Sequence, residues 1–143
     1  MAQFVFVFGT LKEGFPNFDK NAGKRLPGTF ATAERLPLYL VGERHSAWLI
    51  DRPGEGHFVR GQVFEVDAAA LRTMDVLERI AEPDGYKRCK LGVKSVGTPT
   101  PAALDVFAYL KKPVQLVGAT VRLGPLAEYT LEHAALYRAR IET

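Results

Sequence analysis

Two short parts of the chain carry residues that could do chemistry, and the first is the segment from Phe8 through Gly9 and Thr10 to Leu11. It follows an apolar run that is typical of a buried strand. A glycine at that point lets the backbone turn so that successive N–H groups point the same way, and such a group of donors binds a carboxylate or a phosphate. The alternative interpretation is an ordinary turn glycine.

The second candidate is Glu78, which lies in a stretch predicted to form an amphipathic helix. At about 100° per residue, Glu78 falls between Leu71 and Met74 on the apolar face, whereas Asp75 and Arg79 fall on the polar side. A buried carboxylate costs free energy unless it is paired or used, and burial raises its pKa towards the range of a general acid or base. The alternative is a boundary glutamate that reaches water or pairs with a lysine or an arginine.

The other reactive side chains form no recognisable catalytic or metal-binding pattern. His45 and Ser46 are adjacent, so in a strand they point to opposite faces. His45, His57, His133 and Cys89 do not have the spacing of zinc ligands. We therefore expect no metal and no cofactor.

The elements that must position the candidates follow from periodicity and turn residues. We predict strands at 4–8, within 29–41, and at 48–50, 58–66, 86–96 and 105–110, with Trp48 in the core or in a pocket wall. A helix over 67–81 is capped by Asp67, and a second helix spans 125–140. Because strands outnumber helices and neighbour one another in sequence, we expect an α+β fold with a mainly antiparallel, barrel-like β-sheet and one or two packed helices.

Composition limits the possible classes of protein. The 143 residues suit a single domain, 1–143, and 47% hydrophobic with 24% charged residues is typical of a globular protein. The net charge of +3 comes from scattered residues with only short basic stretches such as Lys111-Lys112, so we predict no nucleic-acid partner. No apolar run reaches the roughly 18 residues of a membrane span, and the N-terminus does not resemble a signal peptide. The single cysteine, Cys89, favours the cytoplasm.

Taken in order, these residues resemble the γ-glutamylcyclotransferase-like superfamily, and most closely its γ-glutamylaminecyclotransferase branch. The run VFVFGTLK from Val5 to Lys12, followed by Gly14 and by Pro16-Asn17, matches the opening motif YGTLKxGxPN of that branch. Further matches include GQVFEVD at 61–67, MDVLE ending at Glu78, and the pair Tyr86 and Arg88. The resemblance covers roughly residues 3–110, and the tail after about Lys111 matches poorly.

The resemblance implies an enzyme that releases 5-oxoproline and a free amine from γ-glutamyl amines by intramolecular attack of the α-amine. It implies that Glu78 is the acid/base residue and that Phe8, Gly9, Thr10 and Leu11 bind the substrate. Phe8 stands where the family usually has Tyr, so a hydrogen bond from that hydroxyl is missing here. Two alternatives stay open: a non-catalytic small-molecule binding module, and a cyclotransferase for a larger γ-glutamyl conjugate.

Overall fold

The computed structural model describes residues 3–139, and this part of the chain contains nine strands and two α-helices. The strands are β1 (Gln3–Val7), β2 (Lys24–Arg25), β3 (Thr29–Thr32), β4 (Leu38–Val41), β5 (Ser46–Leu49), β6 (Arg60–Val66), β7 (Lys87–Val96), β8 (Ala103–Leu110) and β9 (Val121–Leu123). The helices are α1 (Ala68–Leu77) and α2 (Leu131–Ala134), and short 3₁₀ turns occupy Phe18–Lys20 and Pro113–Leu116.

Five strands close into a barrel in the order β1-β8-β7-β3-β6, and β6 pairs again with β1. The β1–β8 pair is parallel and the other pairs around the barrel are antiparallel. Strand β2 extends the pairing along β6, while β5, β4 and β9 form a separate antiparallel sheet. The predicted α+β class with a mainly antiparallel, barrel-like sheet is confirmed.

Strand β1 is buried on both faces, as its continuous apolar sequence predicts. Phe6 belongs to a hydrophobic cluster that collects side chains from all five barrel strands and from β4 and β5. Val5 and Val7 belong to a second cluster, in which α1 packs through Leu71 and Met74. Because successive side chains of a strand point to opposite faces, β1 connects the two clusters.

Helix α1 begins where the sequence predicts and ends earlier. The Asp67 side chain caps it by accepting a hydrogen bond from the Ala70 N–H at 2.7 Å. The prediction that the helix extends to residue 81 is wrong, because Arg79 takes a left-handed conformation with φ 57° directly after the C-cap residue Glu78. A residue in this conformation cannot continue a right-handed helix.

The predicted helix over 125–140 is also wrong in most of its length, since α2 covers only Leu131–Ala134, and residue 140 lies outside the described part of the chain. The segment before α2 pairs with strands instead. The Leu126 N–H donates to the Leu38 carbonyl and the Arg60 N–H donates to the Ala127 carbonyl, both at 2.8 Å. Neither described helix has the length and apolar character needed to cross a membrane.

Gly61 lies where β6 pairs with β1 to close the barrel, and the space there predicts that a side chain would destabilise the fold. A Cβ at this position would overlap the Val7 carbonyl oxygen and approach the Phe6 ring at 2.8 Å. We therefore expect Gly61→Ala to lower the free energy of unfolding by about 1–3 kcal/mol, as overpacking does elsewhere. Urea denaturation measures this effect.

Gly92→Ala in β7 is the matched control. A Cβ there would lie at an ordinary 3.5 Å from the Ala33 Cβ, and Gly92 is not among the glycines with positive φ. Its free energy of unfolding is expected to stay within about 1 kcal/mol of the wild type. Equal urea midpoints for the two variants would contradict this account of the barrel.

Candidate active site

The two parts of the chain singled out by the sequence meet at one large cavity of about 1480 Å³. Phe8, Gly9, Thr10 and Leu11 contribute one part of its wall, and Glu78 contributes another. About 70 residues separate them in sequence, and β1 and α1 bring them together because both pack in the second hydrophobic cluster. The remaining wall includes several aromatic and charged side chains, among them Trp48, Tyr86, Tyr109, Lys111 and Tyr137.

Glu78 is held at the point where α1 stops. Its N–H completes the helix by donating to the Met74 carbonyl at 2.9 Å. After it, the Arg79 N–H donates to the Val76 carbonyl at 3.1 Å and the Ile80 N–H donates to the Asp75 carbonyl at 3.2 Å. This pair of bonds is the Schellman arrangement, in which the left-handed position is usually glycine. A non-glycine residue there stores backbone strain, a feature that clusters at functional sites.

The loop that follows Glu78 returns to the helix end. The Tyr86 N–H donates to the Glu78 carbonyl at 3.0 Å, so the backbone of the glutamate is bonded on both sides. Gly85 lies directly against Arg79, and a Cβ there would overlap the Arg79 carbonyl group. The close approach therefore requires glycine at position 85.

The electrostatic surroundings of Glu78 suit a proton-transfer group. Burial raises the pKa of its carboxyl from 4.5 to about 7, and the positive charge of Lys111 limits the rise. Two nearby arginines bind other carboxylates: Arg79 pairs with Asp84 at 2.8 Å and Arg88 pairs with Asp75 at 2.6 Å. A carboxyl with a pKa near 7 can both accept and donate a proton at neutral pH.

The loop after β1 uses its carbonyl groups to hold its own shape. The Lys12 N–H donates to the Gly9 carbonyl at 3.1 Å, the Asn17 N–H to the Thr10 carbonyl at 2.8 Å, and the Asn21 side chain to the Leu11 carbonyl at 3.0 Å. Within residues 3–139, the backbone N–H groups of Gly9, Thr10 and Leu11 donate none of these turn hydrogen bonds. They are therefore candidate donors for an anion in the cavity.

The physical reason for Gly9 differs from the one the sequence suggested. Its φ is not in the left-handed region, so no unusual turn conformation requires glycine. A Cβ on Gly9 would instead lie 3.1 Å from the Cβ of Ala47 in β5. The glycine permits close packing between the loop and the second sheet.

A polar network that the sequence reasoning missed lies beside Glu78. Asp75, placed on the polar side by periodicity, has a side chain only 16% exposed. It accepts hydrogen bonds from the Tyr109 hydroxyl and from the Arg88 guanidinium, both at 2.6 Å. Burial and the contact with Asp75 raise the pKa of Tyr109, which keeps its hydroxyl neutral. The available signal was that Asp75 precedes Glu78 by three residues, because side chains at this spacing are neighbours even where periodicity assigns them to different faces.

Lys111, which the sequence showed only as part of a short basic stretch, is a buried cation in the cavity wall. Its ammonium lies 4.4 Å from the centre of the Trp48 ring and 4.5 Å from that of the Tyr86 ring. The interpretation of Trp48 as part of a pocket wall is therefore consistent with its position. Among the described residues, no group of three histidine, cysteine, aspartate or glutamate side chains could hold a metal ion.

Comparison with known proteins gives a consistent set of relatives. Residues 5–138 match the family described as gamma-glutamyl cyclotransferase, AIG2-like. The gamma-glutamylaminecyclotransferase of Rattus norvegicus is 40% identical over 95 residues, which cover 63% of this chain and 62% of the rat protein. The protein of the same name from Bos taurus is 41% identical over 110 residues, which cover 73% of this chain and 63% of the bovine protein. The matches thus span less than two thirds of the length of these relatives.

A solved structure resembles the whole described fold. The crystal structure of an AIG2-like protein from Mus musculus has a TM-score of 0.81 and 30% sequence identity to this chain. The alignment covers 99% of each chain. The barrel and its second sheet are therefore the architecture of that protein as well.

The raised pKa of Glu78 predicts a cost in stability that depends on pH. The folded protein binds this proton more tightly than the unfolded chain, so the cost is absent below about pH 4.5, grows between pH 4.5 and 7, and is complete above pH 7. Glu78→Gln removes the charge and should therefore raise the free energy of unfolding at pH 8 by on the order of 1–3 kcal/mol, and by less at pH 4.5.

Urea denaturation of both proteins at the two pH values measures this difference. Glu82→Gln is the control, because Glu82 is exposed and lies four residues further along the chain. Its stability relative to the wild type should not change with pH. A Glu78→Gln protein that is less stable than the wild type at pH 8 would show that the carboxylate stabilises the fold.

Proposed function

The chain belongs to the gamma-glutamyl cyclotransferase, AIG2-like family, and on that premise we propose that it is a cyclotransferase acting on γ-glutamyl amines. The products are 5-oxoproline and the free amine. One observation carries the proposal: Gly9, Thr10 and Leu11 line the same cavity as Glu78. A γ-glutamyl group needs both features, since it has an α-carboxylate to bind and an α-amine to deprotonate.

In the proposed mechanism, the N–H groups of Gly9, Thr10 and Leu11 bind the α-carboxylate, and the Phe8 ring forms an apolar part of the wall. This anchoring folds the γ-glutamyl chain so that its α-nitrogen approaches its own γ-carbonyl carbon. Intramolecular reactions in a good orientation gain on the order of 7–11 kcal/mol. Binding in a bent conformation therefore supplies much of the acceleration.

Glu78 moves the proton. Its carboxylate accepts a proton from the α-amine as the nitrogen attacks the γ-carbonyl carbon and the five-membered ring closes. The protonated Glu78 then donates that proton to the nitrogen of the departing amine, and the bond between this nitrogen and the former γ-carbon breaks. A pKa of about 7 lets one residue perform both transfers.

A larger γ-glutamyl conjugate is the second candidate substrate, and the size of the cavity favours it. About 1480 Å³ exceeds the roughly 300–1,000 Å³ of common small-molecule sites. Residues of the C-terminal third, including Thr120 and Tyr137, contribute to the wall. They would contact the amine side of the substrate. A binding module without activity is the third candidate, and Phe8 in place of the family tyrosine is the feature that favours it.

Two further proposals concern the chain as a whole. We propose that residues 1–143 act as one domain, because β1 pairs with β8 and Arg60 bridges to Glu128 near the C-terminus. The cytoplasm and the absence of a cofactor stay predictions from the sequence.

The activity is tested by measuring 5-oxoproline release from γ-glutamyl-ε-lysine, other γ-glutamyl amines and γ-glutamyl peptides with mass spectrometry. We expect turnover by the wild type and a roughly 10²–10⁴-fold lower kcat for Glu78→Gln, because the proton-transfer group is lost. Glu82→Gln, whose side chain is exposed, should retain wild-type activity.

The outcomes separate the three candidates. Turnover of peptides alone indicates the larger conjugate. Heat of binding in calorimetry without any product indicates the binding module. Equal activity of the wild type and Glu78→Gln would remove Glu78 from the mechanism.

A further inference from the structure

Lys111 occupies a position that is fixed by both sheets of the structure. It follows the last residue of β8 and forms a parallel bridge with Ile50, just after β5. Its N–H donates to the Leu49 carbonyl at 2.8 Å, and its carbonyl accepts from the Asp51 N–H at 2.9 Å. The backbone of Lys111 is therefore held on both sides, and its side chain leaves from a rigid point.

The side chain of Lys111 is directed into the cavity wall. The residue is only 4% exposed, and its ammonium lies 4.4 Å from the centre of the Trp48 ring and 4.5 Å from the centre of the Tyr86 ring. It donates a hydrogen bond to the Asp84 carbonyl, in the loop that returns from Glu78. A buried ammonium is costly, and two aromatic faces with a carbonyl offset part of that cost. A role in the site would explain a cation at this position.

We propose that Lys111 is a positioning residue of the cyclisation reaction. This role rests on the function proposed above. It holds the 79–86 loop through the Asp84 carbonyl and supplies a fixed positive charge to the wall that Glu78 shares. The ammonium acts through Glu78: it favours the carboxylate that accepts the α-amine proton and leaves the carboxyl able to return that proton to the amine.

Several other charged and titratable groups near Glu78 have partners of their own. Arg79 and Asp84 pair with each other at a partly exposed position. Asp75 on α1 is bound by Arg88 and by the Tyr109 hydroxyl. The cavity wall also contains Asp19, Lys20, Glu43 and Arg44, and none of them is a cause of the pKa shift of Glu78.

Tyr109 on β8 stays protonated, since burial raises its pKa. Tyr86, which precedes β7, donates its hydroxyl hydrogen bond to the Ala47 carbonyl at 2.8 Å. The charge of Lys111 is the one that lowers the pKa of Glu78 and opposes the effect of burial.

The test compares kcat/KM against pH for the wild type, Lys111→Met, Lys111→Gln and Lys111→Arg, with γ-glutamyl-ε-lysine as substrate. We expect the acid limb of the profile to move up by about one pH unit in the two neutral variants, because the carboxylate loses its opposite charge. Their rate at pH 7 should fall several-fold and recover in part at higher pH. Lys111→Arg keeps the charge and should keep the wild-type limb.

Lys112→Met is the matched control, because the neighbouring lysine is exposed and its loss should change nothing. An unmoved acid limb in Lys111→Met would overturn the proposal, even if the variant melts at a lower temperature, since a purely structural lysine changes stability alone. If the neutral variants fail to fold, Lys111→Arg decides between the outcomes. An acid limb of the pH profile at the wild-type position supports the proposal, and a shifted acid limb contradicts it.

A titration independent of activity separates this inference from the proposed function. The pKa of the Glu78 carboxyl is measured by carbon-13 NMR, with Glu78→Gln to assign the signal. A higher pKa in Lys111→Met than in the wild type supports the interaction even if no γ-glutamyl amine is turned over, in which case only the assigned reaction fails. An equal pKa in both proteins overturns the role of Lys111 whatever the activity.

Discussion

The partial shielding of one carboxyl group from water at the end of α1 is the constraint on which the candidate site depends. Glu78 can occupy that position only because the helix stops at Leu77 and the chain turns immediately after it. The turn places Arg79 in a left-handed conformation and requires a glycine at position 85. The left-handed conformation of Arg79 is unfavourable by itself, and the contacts of the loop that returns to the helix end stabilise it. The result is a protonatable group held rigidly at a cavity wall.

The barrel explains why this helix end meets the N-terminal loop. Strand β1 is buried on both faces, so its exit point is fixed by two hydrophobic clusters at once. Tyr109 packs in the cluster that contains α1, whereas Leu110 packs in the other cluster. Lys111 follows β8 directly, and strand alternation puts its side chain on the same side as that of Tyr109, with which it shares the cavity wall. The alternation of side chains from Tyr109 to Lys111 therefore brings both the Tyr109 hydroxyl and the Lys111 ammonium to the site.

The polar side chains of Asp75, Tyr109 and Arg88 beside the cavity are held in place by hydrogen bonds to one another. Asp75 accepts a hydrogen bond from the Tyr109 hydroxyl on one carboxylate oxygen and from the Arg88 guanidinium on the other. Such a network is rigid when each member is satisfied, because a lost bond in a poorly hydrated place is costly. The buried charges of the site, negative and positive, are thereby kept in a defined arrangement before a substrate enters.

The sequence by itself predicted seven of the nine described strands, the Asp67 cap and a Glu78 that is partly shielded from water, because local periodicity records which side chains avoid water. The short strands β2 and β9 gave no such signal. The sequence did not determine where α1 ends, since an arginine gives no sign of a left-handed position that usually belongs to glycine. The apolar spacing around Tyr129 was compatible with a helix, yet long-range pairing keeps that segment mostly extended. Only the tertiary structure could place Lys111 in the cavity, because its partners are aromatic rings and a carbonyl far away in the sequence.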